Sequence, residues 1–187
     1  ELPKNTKFCG IMGNKGVALH ETPNNFFEEE YIDTDFLEMT SNKVIITGER
    51  AHVFFTEIHK QYKYPIFAGE KFMTEAVAKN RMARDGFKIR AFNDIIYIYE
   101  YQDEGLTNNI TSAYINSPKG YALWMKERAE FLNLDIITKF KLYYSYYAAV
   151  RQKINLSEIK NNLQISDFVL WIIVKLFKFK SIVNKLS

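Results

Sequence analysis

"GEKFMTEAVAKNRMARDGFKIRAFNDIIYIYEY", Gly69 to Tyr101, holds the clearest change of pattern in the chain. Thr74 is placed to cap a helix, Glu75 falls in its first turn, and Gly86 follows as a stop, so the pattern predicts a helix from Thr74 to Asp85. From Phe87 to Tyr101 the residues turn β-branched and aromatic, which predicts one or two strands. A helix running straight into a strand predicts an α/β arrangement. Two glutamates, Glu70 and Glu75, flank the short step before the helix. A carboxylate at a helix start favours its ionised form through the helix dipole. An ionised carboxylate facing an aromatic cleft could take a proton from a hydroxyl nucleophile. On these residues alone, an interaction with the dipole is the simpler account.

The bulk of the sequence narrows the class. At 187 residues, with 47% hydrophobic and 25% charged, the chain can bury a core and leave room for an appendage. A net charge of +3 is too small to argue for nucleic acid. Cys9 stands alone, so no internal disulfide is available, and a reducing, cytoplasmic compartment is expected. Glu1-Leu2-Pro3-Lys4 shows neither an initiator Met nor the apolar start of a signal peptide, so the expectation is a fragment or a processed chain.

Upstream of the decisive stretch, residues 1–40 read as irregular. Gly10, Gly13 and Gly16 read as a turn-rich connector, since their spacing is not that of a dinucleotide loop. Glu28-Glu29-Glu30 reads as a solvated turn. "KVIITG", Lys43 to Gly48, reads as a strand; Ala51 to Tyr62 could be a strand leading into a short helix, and periodicity does not settle it. Downstream, Asp103-Glu104-Gly105 reads as a turn and Thr107 as a helix cap. After Ser117-Pro118 the pattern is helical to the end. The expected division is therefore 1–116, an α/β part, and 117–187, a helical tail.

The tail ends in "SDFVLWIIVKLFKFKSIVNKLS", with Ser166 and Asp167 marking a helix start. It is too short and too charged to span a bilayer. Two readings stay open: a basic amphipathic helix on an anionic membrane surface, or a helix packed on its own domain or in a dimer.

Other chemistry is sparse. Asp33-Thr34-Asp35 could hold Mg²⁺ or Mn²⁺ beside a diphosphate. Such a motif usually ends a hydrophobic strand, whereas Glu28 to Tyr31 precede this one. His20, His52 and His59 lack metal-ligand spacing and read as surface or packing residues. No nucleophile elbow, phosphate loop or zinc signature is present.

The order of motifs from residue 43 to 121 resembles that of the bacterial family 2 glycosyltransferases that build capsule and lipopolysaccharide-type glycans. The resemblance rests on Tyr64-Pro65, Gly69-Glu70-Lys71-Phe72, Glu75, Arg81, the run Glu100-Tyr101-Gln102-Asp103-Glu104-Gly105-Leu106-Thr107, and Ser117-Pro118-Lys119-Gly120-Tyr121. It departs in Glu104, where Asp is usual, and in Thr74, where the wider family carries Glu. It implies an α/β fold: the C-terminal, acceptor-side half of an A-type glycosyltransferase domain, a few strands plus helices, followed by a helical tail. It implies Glu75 as general base, Glu70 as a supporting carboxylate, and Arg81, Asp103, Glu104, Gly105 and Thr107 as substrate-binding residues. It further implies an inverting transfer from a nucleotide-sugar donor to a glycan or lipid-linked acceptor at the inner face of the plasma membrane. The nucleotide-binding half, and a divalent metal with its motif, are expected outside this sequence. Asp33-Thr34-Asp35 sits too close to Glu75 for that motif. The rival expectation, from a different class, is a non-catalytic membrane-surface or protein-interaction module.

Overall fold

The computed structural model describes residues 6–41, 43, 44, 46, 48–100 and 109–186, with side chains to 179. The chain forms two compact units. The first comprises Glu1–Tyr64 and Glu75–Gly105; the second comprises Pro65–Thr74 and Leu106–Ser187. Segment 65–74, which leads into the helix at Ala76 in sequence, thus belongs with the helical residues rather than with the sheet.

The first unit is a mixed sheet of β1 (Phe8–Gly16), β2 (Ile32–Thr34), β3 (Arg50–Phe54) and β4 (Lys88–Ile98), in the order β2-β4-β1-β3. β1 runs parallel to β4 and antiparallel to β3, and β2 runs antiparallel to β4. Three helices belong to this unit: α1 (Phe36–Thr40), α2 (Thr56–His59) and α3 (Ala76–Arg84). Its core gathers Cys9, Met12, Phe36, Met82, Ile89 and Ala91. Burial pushes the Cys9 thiol up to about 11, so it is an inert packing group.

β1 corrects the reading of residues 1–40 as irregular. Its glycines are not turn residues but points of close approach within the sheet. A Cβ at Gly10 would strike the Val53 backbone, and one at Gly13 would lie 2.8 Å from the Asp94 carbonyl oxygen. "KVIITG" is corrected in the other direction. Its described residues, Lys43, Val44, Ile46 and Gly48, lie outside any strand, and β3 starts at Arg50. Val44 and Ile46 are half-buried from a loop, and β-branched residues report burial as readily as pairing. The α3 boundary also moves: Glu75, not Thr74, occupies the cap position, and it makes no side-chain cap bond. Gly86 ends the helix at φ 84 as its sequence position implies, and its N–H bonds the Ala83 carbonyl.

Buried asparagines tie the segment after β1 onto the sheet. Asn14 donates to the Asn93 carbonyl (2.6 Å) and accepts from Asn24 (3.2 Å). Asn93 exchanges two hydrogen bonds with the backbone of Phe27.

The second unit is helical: α4 (Ile110–Ile115), α5 (Pro118–Phe131), α6 (Ile136–Val150), α7 (Leu156–Leu163) and α8 (Asp167–Leu186). Pro118 takes the first position of α5, where its missing N–H costs nothing. Asn155 and Glu158 form a capping box at α7, and Asp135 caps α6. The core centres on Tyr146, Val150, Ile159, Leu163 and Ile173, none more than 1% exposed. The Tyr146 hydroxyl donates to the Pro118 carbonyl (2.9 Å) and accepts from Asn162 (3.1 Å), which satisfies the ring's polar end inside the core.

Candidate functional site

In the first unit the sequence-predicted residues centre on the start of α3. Glu75 stands at the cap position with an exposed side chain, and its Oε1 accepts from Lys79 Nζ at 2.6 Å. The i,i+4 spacing puts the two on one face of the helix. Lys79 is itself buried, with 10% of its side chain exposed. Its ammonium lies 3.3 Å from His52 Nδ1 and 5.6 Å from the centre of the Phe36 ring. An ammonium can only donate, so Nδ1 accepts and the imidazole carries its proton on Nε2. Burial, then the Lys79 charge, pulls the His52 pKa down to about 4, so the ring is neutral. For Glu75, partial burial pulls the pKa up, but the Lys79 hydrogen bond and the charges of Lys79 and Lys15 outweigh it. The carboxyl ends below its ordinary value and is ionised at neutral pH.

The sequence reading takes His52 as a surface or packing residue and does not single out Lys79, yet a signal exists. Strand alternation places Arg50, His52 and Phe54 on one face of β3, and Lys79 follows Glu75 by one helical turn. The ring of His52 stacks on Phe54 (6.0 Å between centres), and Phe54 stacks on His59 (4.9 Å). A pocket of about 280 Å³ opens beside this cluster, lined by Arg50, His52, Ala76, Lys79, Asn80 and neighbouring apolar residues. Two of its lining side chains are cationic, and His52 contributes no charge.

Arg81 lies two turns along α3 from the helix start and is half-buried. Glu70 belongs to the second unit and has a different environment. Its two oxygens accept from the backbone N–H groups of Lys119 (2.7 Å) and Gly120 (2.9 Å), the first turn of α5. Ser117, at the cap position of α5, instead accepts from the Phe72 N–H (3.2 Å). Glu70 therefore clamps a helix start, completing orphan donors and meeting the positive end of the helix. Asp103, Glu104, Gly105 and Thr107 lie outside the described residues.

The Asp-x-Asp triplet, the one sequence candidate for a metal, has both carboxylates engaged. Asp33 receives Arg90 Nε and Nη2 at 2.7 Å each, and the Arg90 guanidinium lies 3.7 Å over the Tyr31 ring. Asp35 caps α1 and pairs with Lys88 at 2.9 Å. Both carboxylates of the Asp-x-Asp triplet are thus engaged in holding β2 and α1 to β4. Among the described residues no group of three or more His, Cys, Asp or Glu side chains could hold a metal ion.

Neither a family model, nor a curated protein, nor a solved structure matches this chain.

Proposed function

We propose that this chain is the acceptor-side part of an inverting glycosyltransferase, with Glu75 as its general base. The observation that carries the reading is the Glu75–Lys79 pair beside the pocket. Lys79 fixes Oε1, so Oε2 is the oxygen that takes the proton from an acceptor hydroxyl. The hydroxyl then displaces nucleoside diphosphate from the donor sugar in one step, with no covalent enzyme intermediate. The lowered pKa keeps the carboxylate ionised and ready, at some loss of basicity. The pocket, whose lining includes Phe36, suits a sugar ring, whose apolar face packs on aromatic carbon. The order of motifs around Glu75 supports the same class. Donor binding and any metal belong, in this reading, to residues beyond the described ones, and no step here depends on them.

The test is transfer by the native full-length protein, assayed as release of nucleoside diphosphate across a panel of nucleotide-sugars with glycan acceptors. Glu75→Gln keeps size and removes basicity, and is expected to lower kcat by about 10²–10⁴-fold. Wild-type turnover in that variant sinks the assignment.

A further inference from the structure

The sequence left α8 between two readings, and the structure shows that its two faces differ. Leu170, Ile173 and Phe177 recur at helical spacing and pack into the helical core, with Leu170 and Ile173 at 8% and 0% exposure. Arg151 covers Phe177, its guanidinium 4.5 Å from the ring centre. Phe168, Trp171 and Phe179 recur on the opposite side at 68%, 57% and 67% exposure. Phe168 stacks on Trp171 (6.3 Å between centres), and Lys175 lies 5.8 Å over the Trp171 ring. The packed face accounts for the fold; the second apolar face, which a helix packed on one side does not need, is unexplained by it.

We infer that the outer face of α8 docks on an anionic lipid bilayer, the helix lying in the plane of the surface. This does not rest on the transferase reading. Three features select the occupant. Among the described residues no helix is long and apolar enough to cross a membrane, so insertion is shallow. Lys175 and Lys178 follow the exposed Phe168 and Trp171 by seven residues each and so share the outer face, a positive charge complementary to anionic headgroups. Lys175 stands within the aromatic stripe. The core of a protein–protein interface is depleted in lysine, which disfavours a second copy of the chain. At a bilayer the lysine stem lies along the apolar surface and its ammonium reaches the headgroups.

The experiment is co-sedimentation of the full chain with phosphatidylcholine vesicles, with and without phosphatidylserine, at rising salt. Binding is expected on the anionic vesicles, weakening as salt rises. Lys175→Gln and Lys178→Gln are expected to weaken it about fivefold each. Replacing Phe168, Trp171 and Phe179 together by Ser is expected to weaken it by about a hundredfold or more. Because these three side chains are exposed, circular dichroism and the unfolding midpoint should be unchanged. The salt titration on the unaltered chain decides the electrostatic part without any variant. Sedimentation no greater with phosphatidylserine than without it overturns the inference. So does a triple variant that sediments like the parent, or a stripe-dependent dimer in solution with no vesicle binding.

Discussion

The two units keep their polar groups in different places. The sheet unit buries Asn14, Asn24, Thr34, Arg50, Lys79, Asn80 and Arg90, while in the helical unit, among the described residues, Ser117 and the hydroxyl end of Tyr146 are buried. A buried polar group costs free energy unless it is partnered, so each one fixes a geometry rather than adding cohesion. In the sheet unit those groups hold the loop after β1, the β2–β4 pairing and the Glu75–Lys79–His52 cluster. In the helical unit the interior is aliphatic and aromatic, and its cohesion follows buried area. The first unit is built to position side chains, and the second to stay folded.

If that contrast is right, the largest stability effect belongs to the helical core. Ile159 is fully buried there. Ile159→Ala removes apolar contact and leaves a cavity, and is expected to cost about 2–5 kcal/mol. Urea unfolding of parent and variant measures it. A loss well below that range would mean that the helical core is looser than its burial implies.

The polar interior of the sheet unit predicts a pH dependence instead. His52 has its pKa lowered from 6.5 to about 4 in the folded chain, so the unfolded state binds its proton first. Stability from the neutral ring is complete above the unfolded value and is lost as pH falls from 6.5 towards 4. Between about pH 7 and about pH 5 the loss is expected to be about 1–2 kcal/mol, allowing for the ring's partial exposure. Glu75 also has a lowered pKa, and its contribution fades only at lower pH, as its carboxyl protonates. His52→Gln should therefore flatten the stability profile over the upper part of the range. A parent and variant with parallel profiles would show that the ring is not held neutral.

How far this was legible in sequence follows the same contrast. β4, the stop at Gly86, Pro118 at the head of α5 and the start of α8 are local signals, and local signals were enough. β1 is not legible in the sequence because its glycines answer to neighbouring strands, which no local pattern displays. "KVIITG" misled because Val44 and Ile46 bury from a loop. The apolar periodicity of α8 could not choose a face, because both faces are apolar. Glu75 stands out in the sequence by its place at a helix start, whereas Lys79 and His52 become a cluster only once β3 and α3 are brought together. Glu70 pairs with Glu75 in the sequence because the two are close there, but its partners are Lys119 and Gly120, far along the chain.

Those two glutamates allow a finer test, because one substitution does different damage at each. Both oxygens of Glu70 accept from backbone N–H groups. Glu70→Gln turns one acceptor into an amide that points a donor at a donor, and it removes the charge facing the start of α5. The expected loss is about 1–2 kcal/mol, with faster amide exchange in the first turn of α5. Glu75 uses one oxygen, on Lys79, and its side chain is largely exposed. Glu75→Gln can keep that hydrogen bond through its amide oxygen, so the loss should stay within about 0.3–1 kcal/mol, in the range of exposed ion pairs and helix-start charges. On the proposal that Glu75 is the base, Glu70→Gln shifts the unfolding midpoint more, whereas Glu75→Gln spares it and lowers turnover by about 10²–10⁴-fold. A larger stability loss at Glu75 than at Glu70 would reverse the assignment, making Glu75 a structural anchor for buried Lys79 rather than a base.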